Sequence, residues 1–83
     1  MNYAIYKTND GKKPHVIHRF TQEACDHKAK RAAQAKLDEM RFLTLQRPAL
    51  YRNFSGTRDD FEYDHITSVN TTDRIRFYIA PLK

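Results

Sequence analysis

The chain has 83 residues, 40% of them hydrophobic and 12% aromatic, with a formal net charge of +5 and a single cysteine. A chain this short makes one domain and buries about 60% of the surface its unfolded form exposes; its hydrophobic content argues against wholesale disorder. One cysteine excludes an intramolecular disulfide, and no run approaches the ~18 apolar residues that a membrane helix needs. With no apolar signal core at the N-terminus, the expected setting is the cytoplasm.

Residues 2–7 and 15–20 each mix aromatic and β-branched side chains and read as strands. Asn9-Asp10-Gly11 lies between them, and Asp-Gly favours a hairpin because both positions tolerate positive φ, so the two strands are expected to pair antiparallel. Lys12 and Lys13 put two ammonium groups at the tip of that turn.

Residues 21–41 read as one helix, with Thr21 as its cap and Glu23 in the positively polarised first turn. At about 100° per residue, Cys25, Ala29, Ala32, Ala33, Leu37 and Met40 share one face. His27, Lys30, Arg31, Gln34, Asp38 and Arg41 form a strip opposite, linked by three- and four-residue steps. One side is expected to pack and the other to meet solvent or a partner.

Residues 42–46 read as a strand that ends at Arg47-Pro48, where proline removes a ladder donor. Residues 49–54 suggest another short strand, followed by a loop over residues 55–60. Residues 61–69 and 74–80 form the clearest hairpin. Pairing Asn70 with Arg74 puts Phe61, Tyr63, His65, Thr67 and Val69 on one face with Ile75, Phe77 and Ile79, and Asp60, Glu62, Asp64 and Ser68 on the other with Arg76 and Tyr78. A one-residue slip would move the apolar set onto the acidic face, which burial opposes.

The fold expected is α+β: one α-helix on a four- to five-stranded, mainly antiparallel sheet, in the order ββαβββ. Alanines at the contact allow close approach, and Phe42, Leu43, Phe61, Val69, Ile75, Phe77 and Ile79 supply the bulk of the core.

The chemistry-bearing residues do not assemble into a catalytic motif. His15-x-x-His18 before Cys25-x-His27 invites a zinc site, but His15 and His18 have opposite parity on a regular strand and Cys25 and His27 lie about 200° apart on a helix. Asp59, Asp60, Glu62, Asp64 and His65 invite a magnesium-dependent nuclease, yet there is no second carboxylate cluster or lysine motif, and Arg76 offers a charge partner. Two glycines cannot build a phosphate-cradling loop. The reading is a non-enzyme with no cofactor and no metal.

The charge is uneven. Residues 1–58 carry 12 Lys/Arg against 5 Asp/Glu, whereas residues 59–83 carry 3 against 5. Such a balance steers association toward anionic partners, and it is equally the pattern of a solvated helix face. The candidate partner-binding residues are His27, Lys30, Arg31, Gln34 and Arg41 on the helix, with Lys12 and Lys13 adding a second contact if their turn lies on the same side.

Residues 27–37, HKAKRAAQAKL, resemble the last helix of double-stranded-RNA-binding domains, in which lysines at the helix start approach phosphates. The layout of the whole chain, with its opening strand at residues 2–6, the helix over residues 21–41 and the terminal hairpin, resembles small phage-encoded inhibitors, in particular anti-CRISPR proteins. That resemblance implies stoichiometric docking onto a CRISPR effector. The expected function is thus a phage-type inhibitor or adaptor that docks onto a nucleic-acid-handling protein or ribonucleoprotein complex through a basic surface, with direct DNA or RNA binding by the basic helix face as the alternative.

Overall fold

The structure is a computed structural model that describes residues 2–21 and 26–82. The expected Thr21 cap and Glu23 in the first turn, together with Cys25, involve positions outside the described residues. Among the described residues the elements run β1 (Tyr3–Asn9), β2 (His15–Phe20), α1 (Asp26–Leu45), β3 (Tyr51–Thr57), β4 (Asp60–Ser68) and β5 (Thr71–Pro81). The strands form one antiparallel sheet in the order β2-β1-β5-β4-β3. This is the α+β, ββαβββ layout that the sequence predicts.

The β1–β2 turn follows from Asp10-Gly11. Both residues have positive φ, 52° and 74°, and the Lys12 N–H closes the turn on the Asn9 carbonyl at 2.9 Å, as a type I′ hairpin requires. Asp10 then ties the turn to the central strand. Its N–H donates to the Arg74 carbonyl and its Oδ1 accepts from the Arg74 N–H, both at 2.7 Å.

The helix runs four residues past its expected end, to Leu45. Phe42 and Leu43 therefore lie on its last turns rather than in a strand, and they are 63% and 54% exposed instead of filling the core. No breaker occurs before Pro48, which disfavours the helical conformation at Arg47, so the apolar run 42–45 continues the helix. The buried stripe is Ala29, Ala33 and Leu37 at four-residue steps. Ala32 is exposed, because the helix is rotated so that Lys30, Gln34 and Arg41 flank the contact.

Leu37 packs with Ile5, Phe61, Tyr63, Ile75 and Phe77, and Phe20, Met40, Tyr51, Phe54 and Ile79 close around them. Complete burial of Leu37 stabilises the fold by roughly 1.5–3 kcal/mol. Rings supply the rest of the contact: Phe61 and Phe77 lie 5.2 Å apart, and Tyr51 meets Tyr63 edge-on at 5.1 Å.

From Asp60 to Ile66 the two faces of the β4–β5 hairpin are those expected, but the register is not, and a shift between Ile66 and Ser68 sets Ser68 opposite Thr71, off the acidic face. Phe61 pairs with Phe77 and Tyr63 with Ile75, and the chain turns at Val69 and Asn70. Val69 is consequently 99% exposed rather than part of the core. This register sets Arg74 opposite Asp64 and Arg76 opposite Glu62, so cross-strand charge pairing fixes what the alternation of side chains leaves open.

Two irregularities mark the outer strands. On β2, Ile5 pairs with His18 but Tyr6 with Val16, so Ile17 is a bulge. It puts His15 and His18 on one face, where regular alternation predicts opposite faces. On β3, the register shifts between Arg52 and Ser55, and Asn53 adopts φ 57°.

Candidate functional site

The cationic strip of the helix divides into two groups. His27 and Arg31 are exposed. Lys30, Gln34 and Arg41 instead meet the β3–β4 turn: Gln34 Nε2 donates to Asp59 Oδ1 at 2.8 Å, and Lys30 Nζ stands 4.0 Å from Asp59 Oδ2. The Arg41 guanidinium donates to the carbonyls of Thr57 and Asp60 and covers the Phe61 ring at 5.4 Å.

Lys12 and Lys13 do not join that strip. Their turn is bonded to Arg74, whereas the Asp59 carbonyl accepts from the Ile79 N–H, five residues further along β5. At 3.3 Å per residue the two sites stand about 16 Å apart along the strand. The lysines gather instead with Lys7 and His15 around a shallow depression at the hairpin tip.

On the sheet face turned away from α1, the carboxylates of β4 are answered by β5. Arg74 reaches Glu62 at 3.3 Å and Asp64 at 3.0 Å, and Arg76 reaches Asp60 at 3.1 Å. Asp60 is held below the usual carboxylate range chiefly by the Thr57 hydroxyl, with the Thr57 N–H and Arg76 assisting against the cost of burial. Asp64 is lowered by the Asn53 amide and then by Arg74. On the other face, burial followed by the neighbouring Tyr51 pushes the Tyr63 hydroxyl up to about 12. Among the described residues no three His, Cys, Asp or Glu side chains converge on a point where a metal ion could be held.

Two surfaces emerge that the sequence does not single out. The end of α1 and the segment after it expose Phe42, Leu43, Leu45 and Leu50, at 63%, 54%, 48% and 42%. Leu45 borders a cleft of about 470 Å³ with Phe54 and Arg58, and Leu43 borders a second with Arg47 and Tyr51. The other surface centres on Tyr6 and Tyr78, whose rings stack at 5.3 Å with 15° between their planes. Alternation with Ile5 and with Phe77 and Ile79 announces that both tyrosines turn away from the core. Their adjacency depends on the pairing of β1 with β5, a contact across most of the chain.

Among the described residues no helix is long and apolar enough to cross a membrane. Comparison of the chain with protein-family models, with curated proteins and with solved structures finds no match.

Proposed function

We propose that this chain is a non-enzymatic adaptor or inhibitor that docks onto a nucleic-acid-handling protein complex, using the apolar end of α1 with its cationic rim. The observation that carries this reading is the exposure of Phe42, Leu43 and Leu45 on the last turns of α1 and of Leu50 just after it, with Leu45 lining one cleft beside Arg58 and Leu43 a second beside Arg47. Several large apolar side chains exposed on adjacent turns of a small domain, with cations beside them, are the pattern of a protein contact. The arginine rim favours an acidic partner surface, in keeping with the net charge of +5. The layout likeness to anti-CRISPR inhibitors makes a CRISPR effector the first partner to test.

The test is capture of a purified effector complex by the tagged chain, with and without nuclease treatment, alongside a Phe42→Ser, Leu45→Ser double variant. Docking through the helix end predicts capture that survives nuclease and fails in the double variant while circular dichroism stays unchanged. Capture retained by the folded double variant would remove the helix end from the interface. Capture lost on nuclease treatment would favour direct nucleic-acid binding, the second reading, which the cations gathered at the β1–β2 tip support.

A further inference from the structure

We propose that the sheet face turned away from α1 binds single-stranded nucleic acid, stacking a base on the Tyr6–Tyr78 pair and drawing the phosphate backbone along the cationic β1–β2 side. This rests on the second reading above, direct nucleic-acid binding, and gives it a surface distinct from the docking end of α1 and a ligand class.

Tyr6 on β1 and Tyr78 on β5 are direct cross-strand partners, so the ladder itself sets the spacing of their rings. Both are partly exposed and neither belongs to the packed cluster around Leu37. They border an open groove of about 580 Å³ whose remaining walls are Lys13, Pro14, Ala80 and Pro81. Flat rings, two prolines and an alanine make a slot suited to a planar apolar face, and Lys13 provides a cation at its margin.

The charges around the groove are sorted by strand. The acids of this face, Asp60, Glu62 and Asp64, all lie on β4, and each is bonded to Arg74 or Arg76. Arg76, already held by Asp60, also lies 4.7 Å from the centre of the Tyr78 ring and so stiffens the platform. On the other flank, Arg19 pairs with Ala4 and therefore shares the face of Tyr6, and Lys13 stands at the margin of the groove, whereas Lys7 and His15, paired with each other and with Lys7 opposite Phe77, project from the α1 side. Asp10 is the one carboxylate of β1, β2 and their turn, and its Oδ1 is occupied by the Arg74 N–H.

An aromatic platform flanked by Lys13 and Arg19 matches a ligand that alternates planar bases with phosphates. A duplex hides its base planes in the stack, so the groove selects the unpaired strand. The chemistry is common to DNA and RNA.

The experiment is fluorescence anisotropy with labelled 12-nucleotide oligo(dT), oligo(rU) and a 12-base-pair duplex, across a salt series. The expected result is binding of at least one single strand, with the duplex weaker. Tyr6→Leu with Tyr78→Leu should weaken that binding by at least about tenfold, as loss of base stacking does, and Tyr6→Phe should retain it. Lys13→Glu should lower the slope of log K against log salt by about 0.7. The Phe42→Ser, Leu45→Ser variant should bind the oligonucleotide as wild type, which separates this site from the docking surface. No binding of either single strand at low salt, equal binding of the duplex, or full binding by the folded double-leucine variant would overturn the proposal. Should that variant unfold, an unchanged salt slope for Lys13→Glu overturns it equally.

Discussion

Gln34, in the middle of the helix, donates from Nε2 to Asp59 Oδ1 at 2.8 Å and so pins α1 to the β3–β4 turn. Arg41, two turns on, clasps the same turn through the carbonyls of Thr57 and Asp60. Arg41→Ala removes a charged donor from two carbonyls and a cation from the Phe61 ring, and should cost about 1.5–3 kcal/mol. Lys30→Ala gives up only an exposed ion pair and should stay within about 0.5 kcal/mol. Thermal unfolding distinguishes them, since each kcal/mol shifts the Tm of a domain this size by about 4–8 °C. Equal shifts would show that Arg41 is no anchor.

Neighbouring alanines should respond in opposite ways. Ala33 is fully buried and Ala32 is exposed. Ala33→Glu places an unpaired charge against the sheet and should unfold the domain, whereas Ala32→Glu should leave the Tm nearly unchanged. The reverse order would mean the helix is rotated from the position described.

Gly56 is required by close approach. A Cβ there would stand 2.5 Å from the Asp60 carbonyl oxygen and 2.6 Å from Phe61 Cα, both backbone atoms that cannot swing aside. Gly56→Ala should therefore destabilise by roughly 1–3 kcal/mol by pushing β3 off β4. A urea midpoint equal to wild type would count against the β3–β4 pairing at this level.

The carboxylates of β4 should contribute to the acid limb of stability. Asp60 and Asp64 are both held below the ordinary value of 3.8, so the folded state binds fewer protons than the unfolded state as pH falls through that value. Their contribution is complete above the unfolded value and is lost as pH drops through the lower folded one. Urea midpoints should decline below about pH 4, and Asp60→Asn with Asp64→Asn should flatten the decline. An unchanged acid limb in the double variant would assign the loss to other groups.

The sequence made the local structure legible and the long-range geometry much less so. Asp10-Gly11 announced the first hairpin and the alternation around Phe61 and Phe77 announced the buried face, because both signals lie within a few residues. Alternation fixes only parity, so the β4–β5 pairing differs from the one expected from Asn70 and Arg74; the partners of Arg74 and Arg76 decide the rest. Phe42 and Leu43 look like strand residues in isolation, yet a helix already under way extends cheaply until Pro48 disfavours it. Of the expected partner-binding residues, the helix phase turned Lys30, Gln34 and Arg41 toward the β3–β4 turn, and only the pairing of distant strands created the Tyr6–Tyr78 groove.

The break in β3 at Asn53 bears on how the chain behaves at high concentration. An uninterrupted outer strand offers a row of free N–H and C=O groups on which another copy can pair and polymerise. With Asn53 at φ 57° and the register shifting between Arg52 and Ser55, that row is cut near its middle, leaving segments too short to seat an incoming strand in one register. Arg52 adds an exposed charge beside the break. The outer strand is thereby kept from acting as a template for fibre growth, and Asn53→Val, which favours the regular extended conformation, should be the substitution that lets it do so.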